Sequence, residues 1–180
     1  WDTLHAEEHR AAREAVVLFD QSTFGKLLVQ GRDAESVLQR LCANDVSKAQ
    51  HRVVYTGMLN QRGGYESDLT LMRLDSESFL LITGTGQPVR DQDWIRRNLH
   101  ADEHVTVADI TSAYAVISIA GPNSRELLNR VSPDDFSNAG FPHYTHRRVE
   151  VGPALVRAAR LSYVGELGWE LTIPSESAVP

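Results

Sequence analysis

Apolar and polar positions along the chain follow two periods, and the change from one to the other marks the elements. Ala34, Val37, Leu38, Leu41 and Cys42 recur at the three-to-four spacing of one helical face, so residues 34–42 predict a helix with Asp33 as its N-cap. A charged, Ala-rich helix is expected over 7–16 and a strand over 26–29. Residues 53–60 and 65–73 alternate with period two and flank Gln61-Arg62-Gly63-Gly64, the pattern of a β-hairpin. A strand over 79–83 and a helix over 92–99 follow, the helix with Asp91 as candidate cap and Trp94, Ile95 and Leu99 on one face. Strands are expected near 104–110 and 114–120, and Gly121-Pro122-Asn123-Ser124 opens a helix carrying Leu127, Leu128 and Val131. A loop rich in Pro, Asp, Asn and His leads to strands near 148–151, 155–164 and 169–173. Hairpins interleaved with helices, with few βαβ units, predict an α+β architecture rather than a doubly wound parallel sheet. Ser175 stands where it would cap a helix barely begun, which suggests that residues 1–180 are one piece of a longer chain.

Composition narrows the functional classes without choosing one. A chain of 180 residues is long enough for one sizeable domain or two small ones, and 42% hydrophobic with 23% charged residues is ordinary for a globular protein. The net charge of -6 gives no reason to expect nucleic acid or an anionic membrane as partner. No apolar run is long enough to span a bilayer, and residues 1–8 lack the basic and apolar regions of a signal peptide. The single cysteine, Cys42, excludes an internal disulfide and a cysteine-built metal site, and its place on an apolar helical face marks it as a buried structural thiol.

Two short patterns with chemical meaning fall away on inspection. Gly84-Thr85-Gly86 lies between a strand and a helix, as a dinucleotide fingerprint would, but Val89 occupies the place of the third glycine. His5-Ala6-Glu7-Glu8-His9 matches an H-x-x-E-H zinc pattern, yet its surroundings are charged and a third ligand is missing from the spacing, which favours a solvated helix. There is no G-x-S-x-G and no P-loop.

The hairpin segments hold the better candidates. If residues 61–64 form a four-residue loop, Gly57 opposes Asp68 and Tyr55 opposes Thr70, so Tyr55, Gly57, Asp68 and Thr70 share a face while Leu69 and Leu71 point to the core. Tyr55 and Asp68 are then diagonal neighbours about 7–8 Å apart at the backbone, with open space above Gly57. If residues 165–168 form the loop of the last hairpin, Tyr163 opposes Glu170, and Trp169, Leu171 and Ile173 face the core. Each hairpin thus pairs a tyrosine with a carboxylate. Two readings of that pattern stand at this point: an outward polar face, or a face turned to a ligand. Glu66 and Glu166, near the turns, read as solvated surface.

The same segments carry a family resemblance. Phe19-Asp20-Gln21-Ser22-Thr23-Phe24-Gly25-Lys26 resembles the D-x-S-x-F-G-K opening of the glycine-cleavage T-protein (aminomethyltransferase) superfamily. Tyr55-Thr56-Gly57-Met58-Leu59-Asn60, Gly63-Gly64 with Asp68, Ala120-Gly121-Pro122 with Ser124-Arg125, and Tyr163 through Glu170 continue it in order, over essentially the whole chain. Within the superfamily, residues 55–74 and 160–174 look closest to the folate-binding halves of sarcosine and dimethylglycine dehydrogenases. Ser67-Asp68 stands where free-standing T-proteins usually carry two acids.

The resemblance implies a ferredoxin-like unit intertwined with a second α/β unit, ending before a C-terminal β-barrel. It implies one folate-binding domain over 1–180 that passes a methylene group from an iminium, derived from an N-methyl amino acid, to tetrahydrofolate. Position by position, it makes Asp68 the catalytic carboxylate, and Tyr55, Tyr163 and Glu170 folate-binding residues. FAD would belong to an upstream flavin domain outside these residues, so the chain alone is not expected to oxidise sarcosine. The cytoplasm of a bacterium or the mitochondrial matrix of a eukaryote is the expected compartment. A stand-alone T-protein working with a lipoyl carrier, and a non-catalytic folate-binding regulatory module, are the competing functions.

Overall fold

The structure is a computed structural model that describes residues 2–178. Its strands form two five-stranded antiparallel sheets, one in each of two compact units. Residues 23–111 make one unit, inserted in the chain between the two segments, 1–22 and 112–180, of the other.

In the inserted unit, β2 (Gly25–Gln30), β3 (Val53–Leu59), β4 (Tyr65–Arg73), β5 (Ser78–Thr83) and β6 (Thr106–Asp109) lie in the order β3-β4-β5-β2-β6. Leu27, Val29, Val54, Met58, Leu69, Leu71, Phe79, Leu81 and Val107 share one core with the helices α2 (Ala34–Leu41) and α3 (Pro88–Arg97). The helical stripe predicted from Ala34, Val37, Leu38 and Leu41 is what α2 buries there. Cys42 follows it, buried, and that burial pushes its thiol up to about 12. Asp33 stands at the N-cap of α2, but its carboxylate accepts from the His104 N–H (2.8 Å) and Arg32 Nε (3.0 Å) rather than capping the helix.

Helix α3 departs further from the sequence reading. It begins at Pro88, whose fixed φ suits a first helical position and whose missing N–H costs nothing there. Asp91 is therefore inside the first turn, its N–H bonded to the Gln87 carbonyl, and it caps nothing.

In the other unit, β1 (Val17–Asp20), β7 (Tyr114–Ala120), β8 (His146–Val151), β9 (Ala154–Ala159) and β10 (Gly168–Pro174) run in the order β1-β7-β10-β9-β8. Alternate β10 residues Trp169 and Leu171 enter a core with Ile119, Val149, Val156, Ala158 and Leu128 of α4 (Ser124–Val131). The polar loop after α4 supplies two of the largest core groups, Phe136 and Phe141, whose rings stack at 5.7 Å. Arg125, Arg147 and Arg160 tie the loop down by donating to the carbonyls of Phe136, Asp135 and Phe141.

The edge strand β1 is absent from the sequence reading, because its four residues are mostly exposed and carry no alternation. Helix α1 (Asp2–Glu14) starts and ends earlier than 7–16. Only Ala12 of α1 is buried, so no apolar stripe marks its bounds. Ser175 lies within a 3-10 turn, Ser175–Ser177, and its hydroxyl donates to the Ser112 carbonyl instead of capping.

Candidate functional site

The β3–β4 hairpin pairs Gly57 with Asp68 and Tyr55 with Thr70, the register inferred from the alternation. Leu69 and Leu71 turn inward, so Asp68 stands exposed on the opposite face. The Tyr55 hydroxyl donates to Asp68 Oδ2 at 2.7 Å, which fixes one carboxylate oxygen and leaves the other face of the group accessible.

Closer to the turn, the register slips by one residue. Met58 pairs with Ser67 but Leu59 pairs with Tyr65, which leaves Glu66 as the extra residue of a bulge. Two corrections follow. Tyr65 joins the face of Tyr55 and Asp68, and its ring lies across Gly57: a Cβ there would sit 2.3 Å from Tyr65 Cε1. The space over Gly57 is therefore filled by an aromatic ring instead of open. Glu66 is also not free surface, since it pairs with Arg90 Nη2 (2.7 Å) and accepts from Asn60 Nδ2 (2.9 Å), which together hold its carboxyl below the usual range.

In the other unit, Glu170 is 7% exposed, on the face of β10 away from Trp169 and Leu171. Ser118 of β7 and Ala159 of β9 flank it in register. Among the described residues it makes no hydrogen bond or ion pair, and burial alone lifts its carboxyl to about 7. A carboxylate buried without donors is costly to the free fold and ready for a ligand that brings donors.

Tyr163 does not oppose Glu170. Strand β9 ends at Ala159, and Ala159 is the residue opposite Glu170. Beyond it, the Arg160 N–H and carbonyl bond to Thr145 and Tyr144, and the Leu167 carbonyl accepts from the Gly121 N–H and the Ser124 hydroxyl. With these backbone groups engaged elsewhere, the predicted hairpin opens into a long loop. Tyr163 stands on it at 93% exposure. Gly121 is in the left-handed region, φ +126, and a Cβ there would meet the Ala15 carbonyl oxygen at 2.5 Å. Near the same loop, Glu166 pairs with Arg13 at 2.5 Å.

Sequence reasoning missed two residues of chemical interest. Tyr65 became visible only through the bulge. Asp91, read as a helix cap, is fully buried behind Asp68's strand and accepts from Ser67 Oγ (2.9 Å) and Thr83 Oγ1 (2.5 Å). Among the described residues, no three His, Cys, Asp or Glu side chains are grouped to hold a metal ion.

Comparison with known proteins agrees with this architecture. The chain is 42% identical over 180 residues to 4-methylaminobutanoate oxidase (formaldehyde-forming) of Paenarthrobacter nicotinovorans, covering 99% of this chain and 22% of that protein. It is 39% identical to mitochondrial sarcosine dehydrogenase of Homo sapiens, covering 97% of this chain and 20% of the relative. The chain thus spans about a fifth of the length of these two relatives. Its fold matches the crystal structure of glycine cleavage system aminomethyltransferase T from Bartonella henselae with a TM-score of 0.80, at 23% identity over 94% of this chain and 45% of that one. The family described as the GCVT N-terminal domain matches over residues 1–180. The chain belongs to that family, the aminomethyltransferase family to which its hairpin motifs pointed.

Proposed function

We propose that this chain is the tetrahydrofolate-binding, one-carbon-transfer domain of a demethylating enzyme of the sarcosine or dimethylglycine dehydrogenase kind. In that role it moves a methylene group from an iminium to tetrahydrofolate. The observation that carries the reading is Glu170, buried, without a partner among the described residues, and lifted to about 7. A group of this kind fits the aminopyrimidinone edge of a pterin, whose neighbouring N–H groups give two parallel hydrogen bonds to one carboxylate. A site built around such donors discriminates strongly against analogues that lack them. The folate supplies the two nitrogens that accept the carbon.

Asp68 has the complementary role. Exposed and steered by Tyr55, it is placed to receive a proton or to stabilise the positive charge of an approaching iminium. Tyr55 in the inserted unit and Tyr163 in the other are each exposed, and an exposed aromatic face is a surface on which a flat folate ring can pack. The relatives named for 4-methylaminobutanoate and for sarcosine favour an N-methyl amino acid as the source of the carbon.

Calorimetric titration of the full-length protein with tetrahydrofolate, combined with a methylene-transfer assay, tests the assignment. Glu170→Ala is expected to weaken folate binding on the order of a hundredfold, the loss of two charge-assisted hydrogen bonds. Asp68→Ala is expected to bind folate within a few-fold of the parent and to lose transfer. Equal losses of binding in the two variants would overturn the division of roles.

A further inference from the structure

The first turn of α3 grips β4 at two consecutive residues, immediately before Asp68. Arg90 holds the bulged Glu66 at 2.7 Å, and Asp91 accepts the Ser67 hydroxyl at 2.9 Å. Thr83 of β5 donates to the same oxygen of Asp91, so one carboxylate joins α3, β4 and β5. Asp91 is completely buried, and its second oxygen, Oδ1, has no hydrogen-bond partner among the described residues. A side chain kept in this condition is expensive for the fold, since a buried polar atom without a partner forfeits its hydration. Burial raises its carboxyl, against the lowering by the Thr83 and Ser67 hydroxyls and by Arg90, and the Asp68 charge adds only the smallest contribution in the raising direction.

The position of the grip matters more than its strength. Ser67 points inward and Asp68 outward on adjacent residues of one strand, next to the bulge that resets the face of every residue before it. Holding Ser67 from behind therefore sets the height and direction of the Asp68 Cα–Cβ bond in front. Loosening it would let the bulge migrate along β4 and would turn Asp68 away from Tyr55.

We propose that Asp91 is a positioning residue for Asp68, acting through Ser67 and Thr83 to lock the β4 bulge in the register that presents Asp68. The inference rests on the assignment of Asp68 to the transfer step. Catalytic geometry is sensitive to displacements of about 1 Å, which cost on the order of a hundredfold in rate.

The test is steady-state kinetics of methylene transfer in the full-length enzyme, with tetrahydrofolate binding measured in parallel. Ser67→Ala removes one hydroxyl and keeps the strand, and it is expected to lower kcat several-fold with the folate dissociation constant within about twofold. Asp91→Ala should lower kcat by about ten- to a hundredfold. Asp91→Asn, whose amide oxygen still accepts both hydroxyls, should recover most of that loss. Combining Asp91→Ala with Asp68→Asn should add little to Asp68→Asn alone, because the two act as one unit. Parental kcat in both Ser67→Ala and Asp91→Ala overturns the proposal, as does a fully additive double variant. An Asp68→Asn enzyme that transfers at the parental rate would instead overturn the assignment of Asp68. If Asp91→Ala does not fold, Ser67→Ala and Asp91→Asn carry the decision.

Discussion

Asp68 and Glu170 occupy similar sequence settings and opposite physical ones. Each lies on a strand that follows a glycine-containing turn, with a tyrosine nearby in the preceding segment. Asp68 is exposed, bonded to Tyr55, and backed through Ser67 by a buried carboxylate. Glu170 is buried, flanked by Ser118 and Ala159, and makes no bond to any described residue. The first arrangement holds a charged group still in contact with solvent, which suits a group that meets a reacting atom. The second keeps a carboxylate away from water until donors arrive, which suits recognition. Under the proposed function, the two similar motifs divide into a chemical role and a binding role, and burial is what separates them.

The sharpest way to break this contrast is through pH. Burial raises Glu170 from its ordinary 4.5 to about 7, so the folded chain holds a proton there that the unfolded chain has released. The contribution of this group to stability is intact below pH 4.5, declines as pH rises between 4.5 and 7, and is lost above that. The difference is about 3 kcal/mol. Denaturant unfolding of the ligand-free protein at pH 4.5 and pH 8 should show that Glu170→Gln gains stability over the parent at pH 8 and little at the lower pH. A variant with the parental pH dependence would mean that Glu170 is not the buried titrating group.

A smaller effect is expected at the exposed motif. Tyr55→Phe removes the donor to Asp68 Oδ2, and exposed hydrogen bonds of this type contribute about 1 kcal/mol or less. Its stability should therefore fall slightly, while the transfer rate falls more, because an unsteered Asp68 samples other rotamers. A stability loss as large as that of a core substitution would place Tyr55 in the fold rather than the site. The smallest change is at the second turn: breaking the half-exposed Arg13–Glu166 pair with Glu166→Gln should shift unfolding by less than about 0.5 kcal/mol. A larger shift would show that this pair orders the Tyr163 loop.

Local pattern sufficed for part of this. The α2 stripe, the β3–β4 register at Gly57–Asp68, and the inward face of Trp169 and Leu171 are all written in side-chain periods, because a strand or helix with one apolar face has only one way to bury it. The motifs likewise placed the chain in its family. Where backbone groups had a choice of partner, the sequence was silent. Residues 160–167 alternate well enough to read as strand and turn, yet Arg160 and Leu167 bond to Tyr144, Thr145, Gly121 and Ser124, which are far away in the chain. The bulge at Glu66 is held by Asn60 and Arg90 on Glu66 and by Asp91 on Ser67, and it brought the Tyr65 ring over Gly57, the partner of Asp68. Asp91 was misread because an acid at a helix start is ordinarily a cap, and only the packing of β4 and β5 against α3 reveals two hydroxyls pointing at it.

The amino-acid sequence by itself determined which faces are apolar, which strands pair locally, and that Asp68 turns away from the core. The tertiary structure decided the burial of Glu170, the exposure of Tyr163, and the grip of Asp91 on Ser67. Periodicity reports which side of an element must leave water. The partner of a polar group, and whether it has one at all, depends on segments that meet only when the chain is folded.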